Sequence, residues 1–187
     1  MLAWWKKVFR AIQSSARFRL RVNRELALTR LDTELRLPLP ECERVVPKLL
    51  RALRPGGALA VEDINFEGYV SHPANSAHDR YVALYREVVR RRGGNADIGP
   101  KLLAMFARAG LQDFGLNIVY PEHKEGSGKE ISVLTMIGIS EAVLAEKLIE
   151  EQELRDVVAE LDRYTRDPLS IVCGPRVFQV WGRRAFA

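Results

Sequence analysis

Glycine is distributed very unevenly along this chain of 187 residues. All thirteen glycines lie at or beyond Gly56, so the first 55 residues contain none. Glycine adopts positive φ cheaply and lets a backbone come close to a phosphate. A nucleotide-binding loop of the glycine-rich kind needs that close approach of backbone amides and a helix N-terminus. The first 55 residues therefore exclude such a loop.

Charge is also unevenly distributed. Residues 1–40 hold nine basic and three acidic side chains, a net charge of +6, whereas the whole chain carries +5. The basic excess therefore belongs to the first part of the chain. We divide the chain into an atypical basic N-terminal segment, 1–40, and a body, 41–187.

The basic segment contains two patterns. Residues 2–14 place Trp4 and Trp5 on one face of a predicted amphipathic helix and Lys6 and Lys7 on the other. Such a helix either docks its apolar face on a core or lies on an anionic surface, and an arginine-rich segment without acids also suits a transit peptide. Residues 17–37 are rich in arginine and leucine and fit no regular template. Nucleic-acid binding is not expected, because base-stacking aromatic residues are not interleaved with the charges.

Composition sets the broad class. Hydrophobic residues make up 47% of the chain and charged residues 28%, which is typical of a soluble globular protein. No apolar run approaches the roughly 18 residues of a membrane span. Cys42 and Cys173 are far apart and have no ligand-spaced histidines nearby, so neither zinc nor a disulfide scaffold is expected. A reduced, cytoplasmic setting is the default expectation.

Beyond residue 41, helix and strand patterns alternate. A helix over 42–53 is expected to stop at the Pro55, Gly56 and Gly57 turn, and a buried strand follows at 58–61. The Ser76 to Asp79 spacing predicts a capping box that opens the next helix. Further helices are predicted from Gly99 to Gly110, over 130–147 and over 151–166, and further strands over 114–120 and 176–183. This pattern predicts an α/β fold.

The run from Leu49 to Asp63, with its proline-glycine-glycine turn and buried strand, resembles the helix, turn and fifth strand of class I S-adenosylmethionine-dependent methyltransferases. The resemblance extends through Asp97, Ile98 and Gly99 and ends in the strand around Val180 to Arg183, covering roughly 42–184. It implies a partial Rossmann-like methyltransferase fold: the last three strands with flanking helices and a helical insertion typical of small-molecule enzymes. It also implies methyl transfer to a small organic acceptor, with S-adenosylmethionine as cofactor.

The family's cofactor-binding motifs have no counterpart in the sequence. The family holds S-adenosylmethionine with a glycine-rich loop after its first strand and with residues at the ends of the next three. Here the corresponding loop is missing, so the cofactor-binding residues are unknown. These absences favour the hypothesis of a truncated or frame-altered product. In such a product the basic N-terminal segment, 1–40, was translated from another reading frame or replaced the original sequence.

The predicted substrate pocket consists of Glu62, Asp63, His72, Tyr81 and Tyr85. Glu62 and Asp63 lie at the carboxyl end of a predicted parallel strand, where open α/β sheets bind ligands, and either acid can orient or deprotonate an acceptor. Asp63 can alternatively cap the following turn, and helical spacing also suits Tyr81 and Tyr85 to a core. No catalytic residue is assigned, because methyl transfer depends mainly on placing the acceptor in line.

Two histidines in this region suggest a metal only weakly. His72 and His78, with Asp79, stand six residues apart across a proline-containing loop, which is a poor ligand spacing. Surface or capping roles fit these histidines better, and no metal site is predicted.

Three strands of a normally larger sheet would leave an unpaired edge, which favours self-association. The alternating Phe18, Leu20 and Val22 can pair along that edge, or a second chain can cover it. Two functions remain open from the sequence. One is a methyltransferase for a small organic acceptor, and the other is a non-catalytic remnant that interacts through its basic amphipathic head.

Overall fold

A computed structural model describes residues 21–22, 26–29 and 39–186, with side chains described from residue 46 onward. The predicted amphipathic helix at 2–14 and most of the arginine- and leucine-rich stretch lie outside the described residues. Among the helices that are described, none is both long and apolar enough to cross a membrane.

Strands and helices alternate along the described chain. The main sheet contains β1 (Arg21–Val22), β2 (Leu26–Thr29), β3 (Ala58–Asn65), β5 (Gln112–Val119) and β8 (Arg176–Arg183). A second sheet contains β4 (Val70–His72), β6 (Glu122–His123) and β7 (Ile171–Cys173). The α-helices are α1 (Leu39–Ala52), α2 (Ser76–Arg91), α3 (Leu102–Arg108), α4 (Ser127–Ala145) and α5 (Glu151–Arg166). Single 3₁₀ turns occur at Phe66–Gly68 and Gly99–Lys101.

The main sheet has the strand order β1-β2-β3-β8-β5. β2 and β3 are parallel, whereas β8 runs antiparallel to both of its neighbours. β8 pairs with β3 along its whole length, from Arg183 opposite Ala58 to Arg176 opposite Asn65. The last strand of the chain therefore lies inside the sheet. This mixed sheet with flanking helices is the partial Rossmann-like α/β fold that the sequence predicts.

One face of the main sheet packs against α1 and α3. Leu59 and Val61 of β3 and Val180 of β8 point to this face, since side chains alternate along a strand. They form a core with residues of the two helices and their flanking turns: Val46, Leu49, Leu53, Ile98, Leu102, Met105 and Phe106. The Pro55, Gly56 and Gly57 turn ends α1 as predicted, and Gly56 adopts a φ of +74° there.

A second core joins the insertion to the sheet. It lies among α2, α4, α5 and the small sheet, and its buried members include Tyr81, Leu84, Val88, Met136, Val143, Leu154, Val157, Leu161 and Val172. The members on the three helices follow the helical spacing expected of buried faces. The helices α4 and α5, which lie between β6 and β7 along the chain, therefore fold back onto α2, next to the carboxyl end of β3.

The structure corrects three sequence predictions. β3 continues to Asn65, two residues beyond Asp63, where the strand was predicted to end. The helix cap is Asn75, whose side-chain oxygen accepts a hydrogen bond from the backbone N–H of His78 at 2.9 Å, so the predicted capping box at Ser76 does not form the N-terminus. The main sheet has five described strands instead of three.

The edge that was predicted to be unpaired is occupied. β2 pairs with β3 in parallel, and β1 pairs with β2, so residues of the basic segment extend the sheet beyond β3. Of the three residues predicted to pair there, Val22 lies in β1 and is one strand away from β3, while Phe18 and Leu20 lie outside the described residues. Self-association of the chain stays a prediction.

Gly99 provides a test of the packing between the 3₁₀ turn and the sheet. A Cβ at Gly99 would stand 2.9 Å from the carbonyl oxygen of Ile64 and 2.6 Å from the ring of Phe178. Because the Ile64 contact is with backbone, we expect Gly99→Ala to lower the free energy of unfolding by about 1–3 kcal/mol. Denaturant unfolding measures the change.

Gly138→Ala is the matched control, because Gly138 lies within α4 and a Cβ there would have open space. Alanine is the better helix former, so this variant is expected to gain up to about 1 kcal/mol. Equal stability changes for the two variants would contradict the close approach at Gly99.

Candidate functional site

A pocket of about 280 Å³ opens at the carboxyl end of β3. Its walls come from β3 and the following 3₁₀ turn, from α2, from the segment after β5, from α4 and from the start of β8. The lining residues are Glu62, Asp63, Ile64, Phe66, Tyr69, Tyr81, Tyr85, Pro121, His123, Ile131, Thr135, Gly174, Pro175 and Val177. The carboxyl ends of β3 and β5 and the amino end of β8 meet at this edge of the sheet, which places distant segments around one cavity.

The structure brings Glu62, Asp63, Tyr81 and Tyr85 together in this pocket. His72, the remaining residue of the predicted pocket, lies apart: it ends β4, pairs with Ile171 and is exposed. His72 does not line the cavity because β4 leads the chain away from β3 into the small sheet. The roles of all five predicted residues in binding an acceptor stay predictions.

Glu62 is held by a row of polar side chains across the sheet. Gln179 is its register partner on β8 and donates from Nε2 to Glu62 Oε2 at 2.8 Å. Asn117 is the partner of Gln179 on β5 and donates from Nδ2 to Gln179 Oε1 at 2.7 Å. The two amides therefore fix the orientation of the Glu62 carboxylate, and neither carries a charge that would neutralise it.

Asp63 points to the opposite face of the sheet from Glu62, as strand alternation requires. It is only 1% exposed, and its Oδ1 accepts a hydrogen bond from the backbone N–H of Ile64 at 2.9 Å. The strand continues past both residues, so Asp63 does not cap a turn directly after it. Glu62 is the more accessible of the two acids.

Aromatic rings form the wall opposite β3. Phe66 stacks on Tyr85 with ring centroids 4.1 Å apart and an angle of 16°. Tyr81 meets Phe66 edge-on at 5.8 Å, and Tyr69 meets Tyr81 edge-on at 5.7 Å. Burial raises the pKa of both Tyr69 and Tyr81, so their hydroxyls stay protonated at neutral pH. Tyr81 thus belongs both to the core and to the pocket.

Asp97 fixes the segment that carries Phe66. Its Oδ1 accepts hydrogen bonds from Asn65 Nδ2 at 3.1 Å and from the backbone N–H of Glu67 at 2.7 Å. Its Oδ2 accepts from Arg86 Nε at 2.9 Å. One carboxylate therefore ties the end of β3 to α2, and the rings of Phe66 and Tyr85 stack between these elements.

His123 is a pocket residue that the sequence analysis missed. It lies in β6, and its ring packs so closely on Gly128 that a Cβ there would clash with His123 Nδ1. Phe66 was missed as well. The available signal for His123 was its position in a glycine-bearing loop directly after a predicted strand. This signal was not sufficient, because the contact that brings the loop to α4 depends on the tertiary fold.

His78 lies beside the pocket and does not line it. The residue is 1% exposed, and among the residues that the structure describes neither Nδ1 nor Nε2 has a hydrogen-bond partner. Its ring packs against Tyr69 at 4.7 Å. Burial lowers the pKa of His78 from 6.5 to about 4, although the nearby Asp79 charge raises it in part. No group of three or more residues of metal-binding type occurs in the part of the chain that the structure describes.

Comparisons with known proteins give matches only among solved structures. No protein-family model matches, and neither does any curated protein. A proposed methyltransferase from Bacillus halodurans C-125 is 13% identical, with 86% of this chain and 69% of that chain covered and a TM-score of 0.46.

Two further matches are structures of phosphoethanolamine N-methyltransferase 2 from Haemonchus contortus. The complex with phosphomonomethylethanolamine and S-adenosylhomocysteine is 14% identical with a TM-score of 0.41, and the complex with S-adenosyl-L-methionine is 13% identical with a TM-score of 0.40. Each covers 87% of this chain, which in turn spans 33% of the Haemonchus protein. At these similarities no residue role is transferred to this chain.

The buried His78 predicts a specific pH dependence of stability. In the folded chain its pKa is about 4, whereas the unfolded chain takes up the proton near the ordinary value of 6.5. Its contribution to stability is therefore complete above pH 6.5 and is lost as the pH falls towards 4. Over this range we expect a loss of up to about 3 kcal/mol in the free energy of unfolding.

The measurement is urea unfolding between pH 7 and pH 4, compared with His78→Leu. The leucine variant removes the titrating group, so its stability should fall less over this range. Parallel pH profiles for the two proteins would contradict the buried neutral state of His78.

Proposed function

We propose that this chain is a methyltransferase-type protein whose pocket at the carboxyl end of β3 binds a small organic acceptor. The position and lining of that pocket carry the proposal, because open α/β sheets bind ligands at this edge. Its volume of about 280 Å³ suits a small molecule and excludes a folded macromolecule.

The lining residues divide into three chemical groups. The rings of Phe66, Tyr81 and Tyr85 supply apolar surface, the Glu62 carboxylate supplies an oriented acceptor of hydrogen bonds, and His123 supplies an imidazole. Glu62 and His123 are the groups suited to take a proton from the acceptor within the pocket. The rings exclude water and restrict the orientation of the bound molecule, which is the main contribution that a transfer reaction needs.

The described residues do not fit S-adenosylmethionine by the family's usual geometry. The first glycines of the chain, Gly56 and Gly57, precede β3 and therefore lie at the edge of the sheet opposite the pocket. No glycine-rich loop connects a parallel strand to a helix N-terminus within residues 39–186. We therefore assign to this chain the binding of the acceptor and derive no step that involves the cofactor.

A ligand-binding experiment tests the proposal. In saturation-transfer NMR with a panel of small amines, alcohols and carboxylates, we expect at least one class to bind. Thr135 lines the pocket, so Thr135→Trp should fill it and abolish the signal. Glu141→Gln, at an exposed position on the same helix, is the control and should bind as the original chain does.

Calorimetric titration with S-adenosylmethionine forms the second arm. We expect no saturable heat at millimolar ligand, because the described residues offer no glycine-rich loop. Saturable heat would show that the chain holds the cofactor itself and would overturn the restriction to the acceptor. If no compound of the NMR panel binds, the alternative of a non-catalytic interaction protein replaces the proposed function.

A further inference from the structure

We infer that β5 is an interaction surface for a second copy of this chain. The second copy adds its own β5 antiparallel to the first, so that the two main sheets join into one across a two-fold axis. This surface lies outside the pocket and does not depend on the proposed function. Four features carry the inference: the open edge of β5, its apolar side chains, its lack of charge and the contrast with the other edge of the sheet.

β5 has one strand neighbour in the part of the chain that the structure describes. It stands last in the strand order β1-β2-β3-β8-β5 and pairs there with β8 alone. A strand of eight residues, Gln112–Val119, therefore presents backbone N–H and C=O groups on its outer side. Such a row is a template for pairing with another chain, and native proteins usually shorten it, charge it or cover it.

The side chains of β5 are apolar and open on both faces of the sheet. Phe114, Leu116, Ile118 and Val119 are each 39–48% exposed. Leu116 and Ile118 lie on the face that packs against α1 and α3, whereas Val119 lies on the opposite face. Contiguous apolar surface of a few hundred Å² marks an interaction site. Because both faces are open, a strand that pairs along this edge gains apolar contacts on both.

No charged side chain guards the middle of β5. The run from Phe114 to Val119 is uncharged, and the nearest acid, Asp113, lies at the bulge where the pairing with β8 is irregular. A two-fold axis sets the strand against its own sequence, so a charge in this run would meet a like charge close by, which is unfavourable. The uncharged run is therefore compatible with pairing to itself.

The other edge of the described sheet has the opposite character. β1 is two residues long, Arg21–Val22, and Arg21 gives it a charge. Short length and charge both protect an edge strand from pairing. The described sheet thus offers one long apolar edge per copy, so the pairing closes at two copies. The described chain also begins at β1, four strands away from β5, which favours a second copy over the chain's own N-terminal segment.

The length of the strand sets the strength of the pairing. Two strands of eight residues bury on the order of 1,000 Å² in total, which is near the lower limit for specific interfaces. Interfaces of this size dissociate readily, so we expect a reversible dimer with a Kd of about 1–100 µM. Sedimentation velocity of the full chain, at concentrations below and above this range, should show the change from monomer to dimer.

Variants locate the contact. Ile118→Lys places a charge in the paired strand and should weaken dimerisation at least about tenfold. Leu134→Lys is the matched control, because Leu134 is an exposed apolar residue of α4 and does not belong to the edge. This control should dimerise as the original chain does. Both positions are exposed, and equal denaturation midpoints of the three monomers verify that folding is unchanged.

Hydrogen exchange distinguishes strand pairing from a contact between side chains alone. The outward N–H groups of residues 114–119 alternate along β5, and pairing supplies them with acceptors. These amides should exchange at least about tenfold more slowly above the Kd of the dimer than below it. The Ile118→Lys variant at the same concentration should show the exchange of the monomer.

Four results would each overturn the inference. They are a chain that stays monomeric above this concentration range, a dimer that Ile118→Lys does not weaken, a dimer that Leu134→Lys weakens equally, and a dimer whose β5 amides exchange as in the monomer. None of these measurements uses a ligand, so the small-molecule function stands or falls separately on its own binding experiment.

Discussion

The pairing of β8 between β3 and β5 is the interaction on which the rest of the structure depends. β8 is the last strand in the chain, and it forms hydrogen-bonded ladders with strands that end more than 55 residues before it. Its side chains supply Phe178 and Val180 to one core and Gln179 to the polar row on the other face. A shift of one residue in this register would exchange the two faces and place Gln179 in the apolar core.

The same register explains why the pocket has its particular chemistry. Glu62, Gln179 and Asn117 come from three strands, and each alone would be an ordinary polar residue. The ladder aligns them in a row, and the row ends at the cavity. On the other side, Asp97 joins the end of β3 to α2 and thereby fixes the aromatic wall. The site is therefore assembled by two sets of hydrogen bonds that act on β3 from either side.

Local sequence signals predicted much of this fold. The Pro55, Gly56 and Gly57 turn and the apolar run after it located α1 and β3, because both depend on residues adjacent in the chain. The cap at Asn75 was missed, since Asn75 and Ser76 are both suitable caps and only the backbone geometry selects one. The strands β4, β6 and β7 have two or three residues each, too few for any periodicity to be visible.

The candidate site was predictable only where it lies on β3 and α2. Glu62, Asp63, Tyr81 and Tyr85 stand on those elements at positions that strand alternation and helical spacing reveal. His123 lines the pocket because β6 contacts α4. His72 does not line it, because β4 pairs with β7. Both depend on pairings between residues far apart in the chain, which no local pattern encodes.

The central position of β8 has a consequence for biosynthesis. A ribosome makes the chain from its N-terminus, so β3 and β5 emerge well before residues 176–183. Until β8 has been made, these two strands lack the partner that lies between them in the sheet. Pro175 and Val177, which close the pocket, arrive in the same final segment. The pocket therefore cannot be completed before residues 176–183 have been made, and contacts of such long sequence separation slow the folding of the chain.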